Sequence, residues 1–390
     1  MSTPEITLEP ARLIAIAEQQ TGLEDWGPEP FRAALDQLCC SLRDEARLNA
    51  AGQYTHSVRL QDILATRLRL QQFMTRFPEI RDENISQPLI IVGLPRTGTT
   101  MLQRMIAADP AFHSTRWWET RFPLPFDNNS SPEDVRARIE RGTAEVDMML
   151  ETVPELAAIH PLSATEADEE IMLLEQSLLS TTPESMARVP GYAAWQQSQD
   201  QVPAYRYLKQ LLQCLQWQKR QRGETADRWV LKTPHHLHCM DALFQVFPDA
   251  QIVQTHRDPL ETIPSMASFC YALHRLGSDE VDAIEVGQHW SEKMRSGLQQ
   301  CMQVRETGFE SRFVDIDFNL TLSDPLGAVA RIFEAIQQPF VAQTAEAVAS
   351  WVAANQRDRR PPHRYTAEQF GLSEAQLNAD FAFYRARFVR

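Results

Sequence analysis

The chain has 390 residues, 43 % hydrophobic and 23 % charged, the make-up of an ordinary globular protein rather than a disordered or fibrous one. Its 38 Lys and Arg stand against 52 Asp and Glu, a formal charge of -14, which disfavours a general nucleic-acid binder because neutralising phosphates takes a cationic surface. No stretch approaches the roughly eighteen apolar residues of a membrane span. The N-terminus is acidic without an apolar run, and the six cysteines are scattered, so a cytoplasmic chain without a transmembrane segment, disulfide framework or metal clip is expected.

Up to about residue 85 apolar residues recur at helical spacing, as in Leu13, Ile16 and Ala17, then Phe31, Leu35, Leu38 and Leu42, then Leu60, Ile63, Leu64 and Leu68. Pro28 and Pro30 predict a helix start and Ala51-Gly52 a stop. This N-terminal helical region, 1–85, precedes an α/β domain over 86–390. After Pro88 the run Leu89 to Val92, ending in Gly93, reads as a buried parallel strand, and similar runs lie at 229–231, 250–254 and 312–316. Helical patterns over 99–109, 202–222, 236–247, 259–275, 281–305 and 325–337 alternate with them. The expected fold class is therefore α/β, a parallel β-sheet flanked by helices. The stretch 127–200 is mostly helical but broken by prolines at 132, 154, 161, 183 and 190. It reads as a helical insertion or lid, extended to about 127–222.

The segment Gly93-Leu94-Pro95-Arg96-Thr97-Gly98-Thr99-Thr100 follows a strand and opens a helix, where loop amides and the helix N-terminus form an anion site. The glycines have the spacing of a nucleotide-triphosphate loop, but Thr99 stands in place of its lysine and the charge has moved to Arg96. That weakens a grip on a magnesium-bound triphosphate and leaves room for one on a phosphosulfate. A Gly-Thr turn capping a core helix is the plainer alternative. Against it, Lys232-Thr233-Pro234-His235-His236 follows the second strand run. Arg257 follows the third, with Ser265 eight residues on. Three strand ends then carry anion-binding groups, at the sheet edge where open α/β folds bind ligands.

In this order and at these spacings the motifs resemble the sulfotransferase family that uses 3′-phosphoadenosine 5′-phosphosulfate (PAPS). The resemblance covers about 88–120 and 228–275 well and 312–336 loosely. It implies the P-loop-like sulfotransferase fold, PAPS as co-substrate and no metal. It further implies that Pro95, Arg96, Thr97, Gly98, Thr99 and Thr100 bind the 5′-phosphosulfate and that Arg257 and Ser265 bind the 3′-phosphate. The basic C-terminal run that includes Arg364 and Tyr365 is similar in role to a loop closing over the donor.

Sulfuryl transfer needs an in-line acceptor, a base for its proton and positive charge at the leaving oxygen. Arg96 and Lys232 suit the last role. For the base, His236 and His235 match the family's histidine by position. Glu119 is the rival, because Glu119-Thr120-Arg121 is similar to a Glu-Thr-Arg of tyrosylprotein sulfotransferases. Glu166, Asp168, Glu169 and Glu170 read either as charges complementing a helix dipole or as acceptor contacts. His235, His236, His238 and Cys239 are not spaced to meet at one metal.

The function expected is sulfuryl transfer to a hydroxyl of a small-molecule, lipid or glycan acceptor. The alternatives are a P-loop kinase or NTPase, or a catalytically inactive nucleotide-binding adaptor. The acceptor and the oligomeric state are not legible. Trp117, Trp118, Tyr192, Trp195 and Phe269 serve equally as acceptor pocket or as core.

Overall fold

The apolar run after Pro88 becomes the central strand β1 (Leu89–Gly93) of a five-stranded, wholly parallel sheet. The remaining strands are β2 (Phe112–Ser114), β3 (Arg228–Lys232), β4 (Gln251–His256) and β5 (Phe313–Asp317), in the spatial order β2-β3-β1-β4-β5. Leu89 stands opposite Val230 on one side and Gln251 on the other. The computed structural model describes residues 5–27, 31–126, 130–154, 156–159, 162–355 and 365–389.

Successive residues of β1 serve two different cores. Ile90 and Val92 join Trp229, Leu231 and Ile252 on one face, while Leu89 and Ile91 join Val230, Val253 and Ile316 on the other. A strand covered on both faces has no polar side, so its sequence is a continuous apolar run instead of an alternation. Each such side chain contributes about 1.5–3 kcal/mol on burial.

In chain order, α1 (Pro10–Thr21), α2 (Phe31–Asp44) and α3 (Ala50–Arg76) precede the sheet, and α4 (Thr99–Ala107) follows β1. Between β2 and β3 lie α5 (Trp117–Arg121), α6 (Pro132–Thr152), α7 (Leu156–Ile159), α8 (Ile171–Glu175), α9 (Thr182–Met186), α10 (Pro190–Gln197) and α11 (Val202–Gln221). After β3 come α12 (Met240–Val246), then, beyond β4, α13 (Pro259–His274) and α14 (Ala283–Val304). After β5 come α15 (Phe318–Ser323), α16 (Pro325–Ala335), α17 (Ala342–Ala354), α18 (Glu374–Asp380) and α19 (Ala382–Phe388). One face of the sheet is covered by α4, α16 and α17 through Leu102, Ile332 and Val348. The other core takes in α1 to α3, α11, α13 and α14. Leu13, Leu35 and Leu64 thus share a core with Trp229 and Ile252.

The insertion between β2 and β3 is helical as expected. Pro132, Pro183 and Pro190 break it by starting helices, since each occupies the first turn of α6, α9 or α10, where the missing N–H costs nothing. Pro161, like Pro28 and Pro30, lies outside the described residues. Two expectations are corrected. Gly52 does not stop a helix. It sits in the first turn of α3, whose N-cap Asn49 accepts from Gly52 N at 2.9 Å. A Cβ there would lie 2.1 Å from the Gly277 carbonyl oxygen, so glycine serves a close backbone approach. Strand β2 was not expected, because three residues, one of them His113, carry too little periodicity to read.

Among the described residues no helix is long and apolar enough to cross a membrane.

Candidate active site

The loop after β1 is shaped by its backbone. Gly93 has φ 152°, and a Cβ there would meet Thr255 Oγ1 at 2.3 Å. Gly98, at φ 81°, is the N-cap of α4 and offers no side chain to the first amides of that helix. Those N–H groups have no partner within the helix and form a site for negative charge. Between the glycines Arg96 also takes a left-handed φ of 71°, a conformation that costs a non-glycine residue about 1–3 kcal/mol and is held only by surrounding structure. Thr97 supplies part of that hold. Its buried Oγ1 donates to the Leu94 carbonyl at 2.7 Å and lies 2.6 Å from Thr255 Oγ1 on β4. The hydroxyl of Thr97 is therefore committed within the protein, and only its backbone N–H could serve a ligand.

Lys232, the last residue of β3, reaches this loop. Its Nζ donates to Thr100 Oγ1 at 3.1 Å and to Glu169 Oε1 at 2.5 Å, and its side chain is fully buried. Its backbone N–H donates to Glu170 Oε2 at 2.7 Å. The other oxygen of Glu170 lies 2.7 Å from His236 Nε2, and His236 Nδ1 lies 2.6 Å from the Tyr205 hydroxyl. Tyr205, His236 and Glu170 thus form a fully buried polar chain that ends on Lys232. Glu169 keeps 22 % of its side chain exposed and is the carboxylate of this group open to solvent.

Arg257 comes to the same loop from β4. Its Nη1 donates to the Arg96 carbonyl at 3.0 Å, its Nε donates to Glu261 at 3.2 Å, and its guanidinium lies 4.3 Å from the Phe318 ring centroid. Phe318 also closes over Gly98, where an added Cβ would stand 3.1 Å from its ring. Asp258 caps α13, and Ser265, buried, lies on that helix two turns after Arg257. The structure therefore brings Arg96, Thr99, Thr100, Lys232 and Arg257 to one edge, with Ser265 on the helix that starts there.

Other candidates lie elsewhere. His236 is fully buried with both ring nitrogens engaged, one by Tyr205 and one by Glu170. His235 is turned to Thr181, 3.2 Å from its Nδ1, and burial pushes its pKa well below the ordinary value. Glu119 is fully buried in an ion pair with Lys219 at 2.8 Å and Arg222 at 3.0 Å, and accepts the Arg116 backbone N–H. Burial by itself would raise its pKa, but Lys219, Arg116 and Arg222 outweigh that and hold it below the ordinary value. Its carboxylate braces α5 against α11. Trp117, Trp118 and Tyr192 are buried, the tyrosine hydroxyl donating to the carbonyls of Leu178 and Ser180. Tyr365 packs against the main core, and Arg364 lies outside the described residues. No group of three or more metal-ligating side chains occurs among the described residues.

The sequence reading left the role of Glu169 and Glu170 open and missed Tyr205, Thr255 and Phe318. Nothing in the spacing of these residues relates them to Lys232 or Arg96, since the contacts cross as many as 158 positions of chain between Thr97 and Thr255 and 220 between Gly98 and Phe318.

These features define a class: an α/β protein that gathers cationic side chains and a helix N-terminus at the carboxyl edge of a parallel sheet. The chain belongs to the sulfotransferase family, whose model matches residues 88–342. The sulfotransferase STF1 of Mycobacterium tuberculosis H37Rv is similar, at 29 % identity over 98 % of this chain and 100 % of that one, with a TM-score of 0.82. STF9 of Mycobacterium avium is similar at 26 % identity over 100 % and 98 %, with a TM-score of 0.87. No match was found among curated protein sequences. The fold is the P-loop-like fold of these sulfotransferases, and family membership supports sulfuryl transfer over nucleoside-triphosphate chemistry.

Proposed function

We propose that the chain transfers a sulfuryl group from PAPS to a hydroxyl of a small-molecule, lipid or glycan acceptor. The observation that carries this reading is the position of Lys232, whose ammonium touches Thr100 at the anion loop and the open carboxylate of Glu169 at once. A cation and a base side by side at such a loop are what sulfuryl transfer requires.

The residues fit the donor. The free amides at the start of α4, with Pro95 to Thr100 around them, would hold the 5′-phosphosulfate, and Arg257 with Ser265 would hold the 3′-phosphate. Arg96 and Lys232 neutralise charge on the bridging oxygen as its bond to sulfur breaks and the electron pair stays on that oxygen. Glu169 takes the proton of the acceptor hydroxyl as the new S–O bond forms. This assignment departs from both His236 and Glu119. The histidine is enclosed between Tyr205 and Glu170, and Glu119 is committed to Lys219 and Arg222. His236, Glu170 and Tyr205 are positioning residues, which fix the backbone of Lys232.

Calorimetry with adenosine 3′,5′-bisphosphate and with ATP–Mg²⁺, followed by an acceptor screen with labelled PAPS read by mass spectrometry, tests this. Tight binding of the bisphosphate and label in an acceptor are expected. Preference for ATP–Mg²⁺ would overturn the reading.

A further inference from the structure

Glu169 lies in the loop that leads into α8, and a loop places a side chain less precisely than a helix or strand does. Here, however, the peptide group that joins Asp168 to Glu169 is pinned at both ends. Its carbonyl oxygen, that of Asp168, accepts from Thr115 Oγ1 at 2.7 Å and from Gln103 Nε2 at 3.1 Å. Its N–H, that of Glu169, donates to Asp168 Oδ1 at 2.7 Å. A carbonyl oxygen has two lone pairs, so both are used. Thr115 and Gln103 are fully buried. One residue earlier, the Asp168 N–H donates to the Thr115 carbonyl at 2.9 Å, and Arg104 Nε donates to the Ala167 carbonyl at 2.9 Å. One residue later, Glu170 is held by the backbone of Lys232. Gln103 and Arg104 belong to α4, four positions after Thr99 and Thr100. Residues at that spacing share a helix face about 6 Å apart. The helix that opens at the anion loop thus carries the acidic loop one turn further on.

We propose that Thr115 and Gln103 are positioning residues for the base: they set the reach of the Glu169 carboxylate towards Lys232 and the acceptor proton, and register it against the donor through α4. This rests on the reading of Glu169 as the proton acceptor. A turn of the 168–169 peptide would swing the Glu169 side chain, and the two side-chain donors oppose that turn. Docking the loop does not need them both. The backbone pairing of Asp168 with Thr115, the antiparallel bridge between Arg116 and Ala167, and the Arg104 contact already hold it against α4 and α5. Both donors are uncharged and bind the backbone, so they fix the place of the carboxylate without drawing on its own lone pairs. Precision of this kind matters to rate, because a misplacement of about 1 Å in a catalytic group can cost about 10²-fold.

Steady-state turnover with labelled PAPS, beside calorimetry with adenosine 3′,5′-bisphosphate, tests this on the full chain. Thr115→Val keeps the shape and the backbone pairing but loses the hydroxyl; it should lower kcat about tenfold and leave bisphosphate affinity unchanged. Thr115→Ser, which keeps the hydroxyl, should restore most of the turnover. Gln103→Leu should act in the same direction and serves if Thr115→Val does not fold. The deciding measurement is a double-mutant cycle. In a Glu169→Gln chain, Thr115→Val should cost little further turnover, because no base is left to aim. A merely structural role would instead multiply the two losses. Multiplied losses, or normal turnover in both Thr115→Val and Gln103→Leu, would overturn the proposal and leave Glu169 as the base. Near-normal turnover in Glu169→Gln alone would remove Glu169 as the base and this role of Thr115 and Gln103 with it.

Discussion

The hydroxyl of Tyr384 on α19 lies 2.8 Å from His256 Nδ1, at the end of β4. The other ring nitrogen of His256 is 2.8 Å from Asp315, and the ring stacks on Phe388 with centroids 4.2 Å apart. On the far side of Arg257, Asp258 pairs with Arg385 at 2.8 Å. The C-terminal helix thus grips the residues on both sides of Arg257 without touching the anion loop in these contacts. Tyr384→Phe should weaken binding of adenosine 3′,5′-bisphosphate about threefold to tenfold, the worth of one hydrogen bond, while a nucleotide lacking the 3′-phosphate is affected little. Calorimetry with the two nucleotides checks this, and equal losses would reduce α19 to a purely structural role.

Arg257→Ala removes the guanidinium itself. A charge-assisted contact is worth about 1.5–3 kcal/mol, so affinity for the 3′-phosphorylated nucleotide should fall tenfold or more. The analogue without that phosphate serves as the control. If both nucleotides lose the same, Arg257 does not hold the 3′-phosphate.

Lys232→Ala should lower kcat more than donor affinity, because charge builds on the bridging oxygen mainly in the transition state. The measurement is steady-state kinetics alongside calorimetric donor binding. Turnover within a few-fold of the wild type would remove Lys232 from the chemistry.

The choice of base is decided by three variants. Glu169→Gln keeps the shape and cannot accept a proton, so turnover should fall about 10²–10⁴-fold. His236→Ala should lower turnover through a displaced Lys232 and leave the dependence of rate on pH unchanged, as expected of a positioning residue. Glu119→Gln should leave turnover of the folded protein near normal. A large loss in Glu119→Gln with none in Glu169→Gln would reverse the assignment.

Glu119→Gln should show itself in stability instead. Removing one partner of a buried pair leaves Lys219 with only the longer contact to Glu224 at 3.7 Å, at a cost of up to about 3–5 kcal/mol. The pH dependence follows from the sign of the shifts. Glu119 is held below its ordinary 4.5, and Glu224 beside it is lowered to about 2, because Lys219 and Arg116 outweigh the burial that alone would raise it. A depressed carboxylate contributes stability above its unfolded pKa and loses it as the pH falls through the folded one. Urea unfolding should therefore separate wild type and variant clearly at pH 7, and the gap should narrow as the pH falls below about 4.5. A gap that stays constant over that range would mean the pair is not ionised.

Much of the fold is legible in local pattern. The runs at Leu89, Trp229 and Ile252 read as buried strands because a strand covered on both faces is apolar at its centre, whereas the run at Phe313 is an edge strand, half-buried and carrying Asp315 and Asp317. The anion loop is legible because its shape depends on near neighbours: Gly93 and Gly98 supply the left-handed turns, and the helix that follows supplies the amides. Lys232 and Arg257 could be placed for the same reason, as the next residues after predicted strands. Strand β2 escaped because it is short and lies at an edge, and Gly52 misled because its reason lies in Gly277, 225 positions away.

What tertiary structure alone decided is which of the carboxylates and histidines are buried and which partners they meet. In sequence, Glu119, Glu169 and Glu170 are three similar acids, and His236 is the histidine nearest the expected position. Folding buries Glu119 against Lys219, encloses His236 between Tyr205 and Glu170, and leaves Glu169 open beside Lys232. Local sequence sets which residues can turn, start a helix or lie in a strand. A proton acceptor needs solvent access and a partner charge, and both come from groups that meet only when distant segments pack.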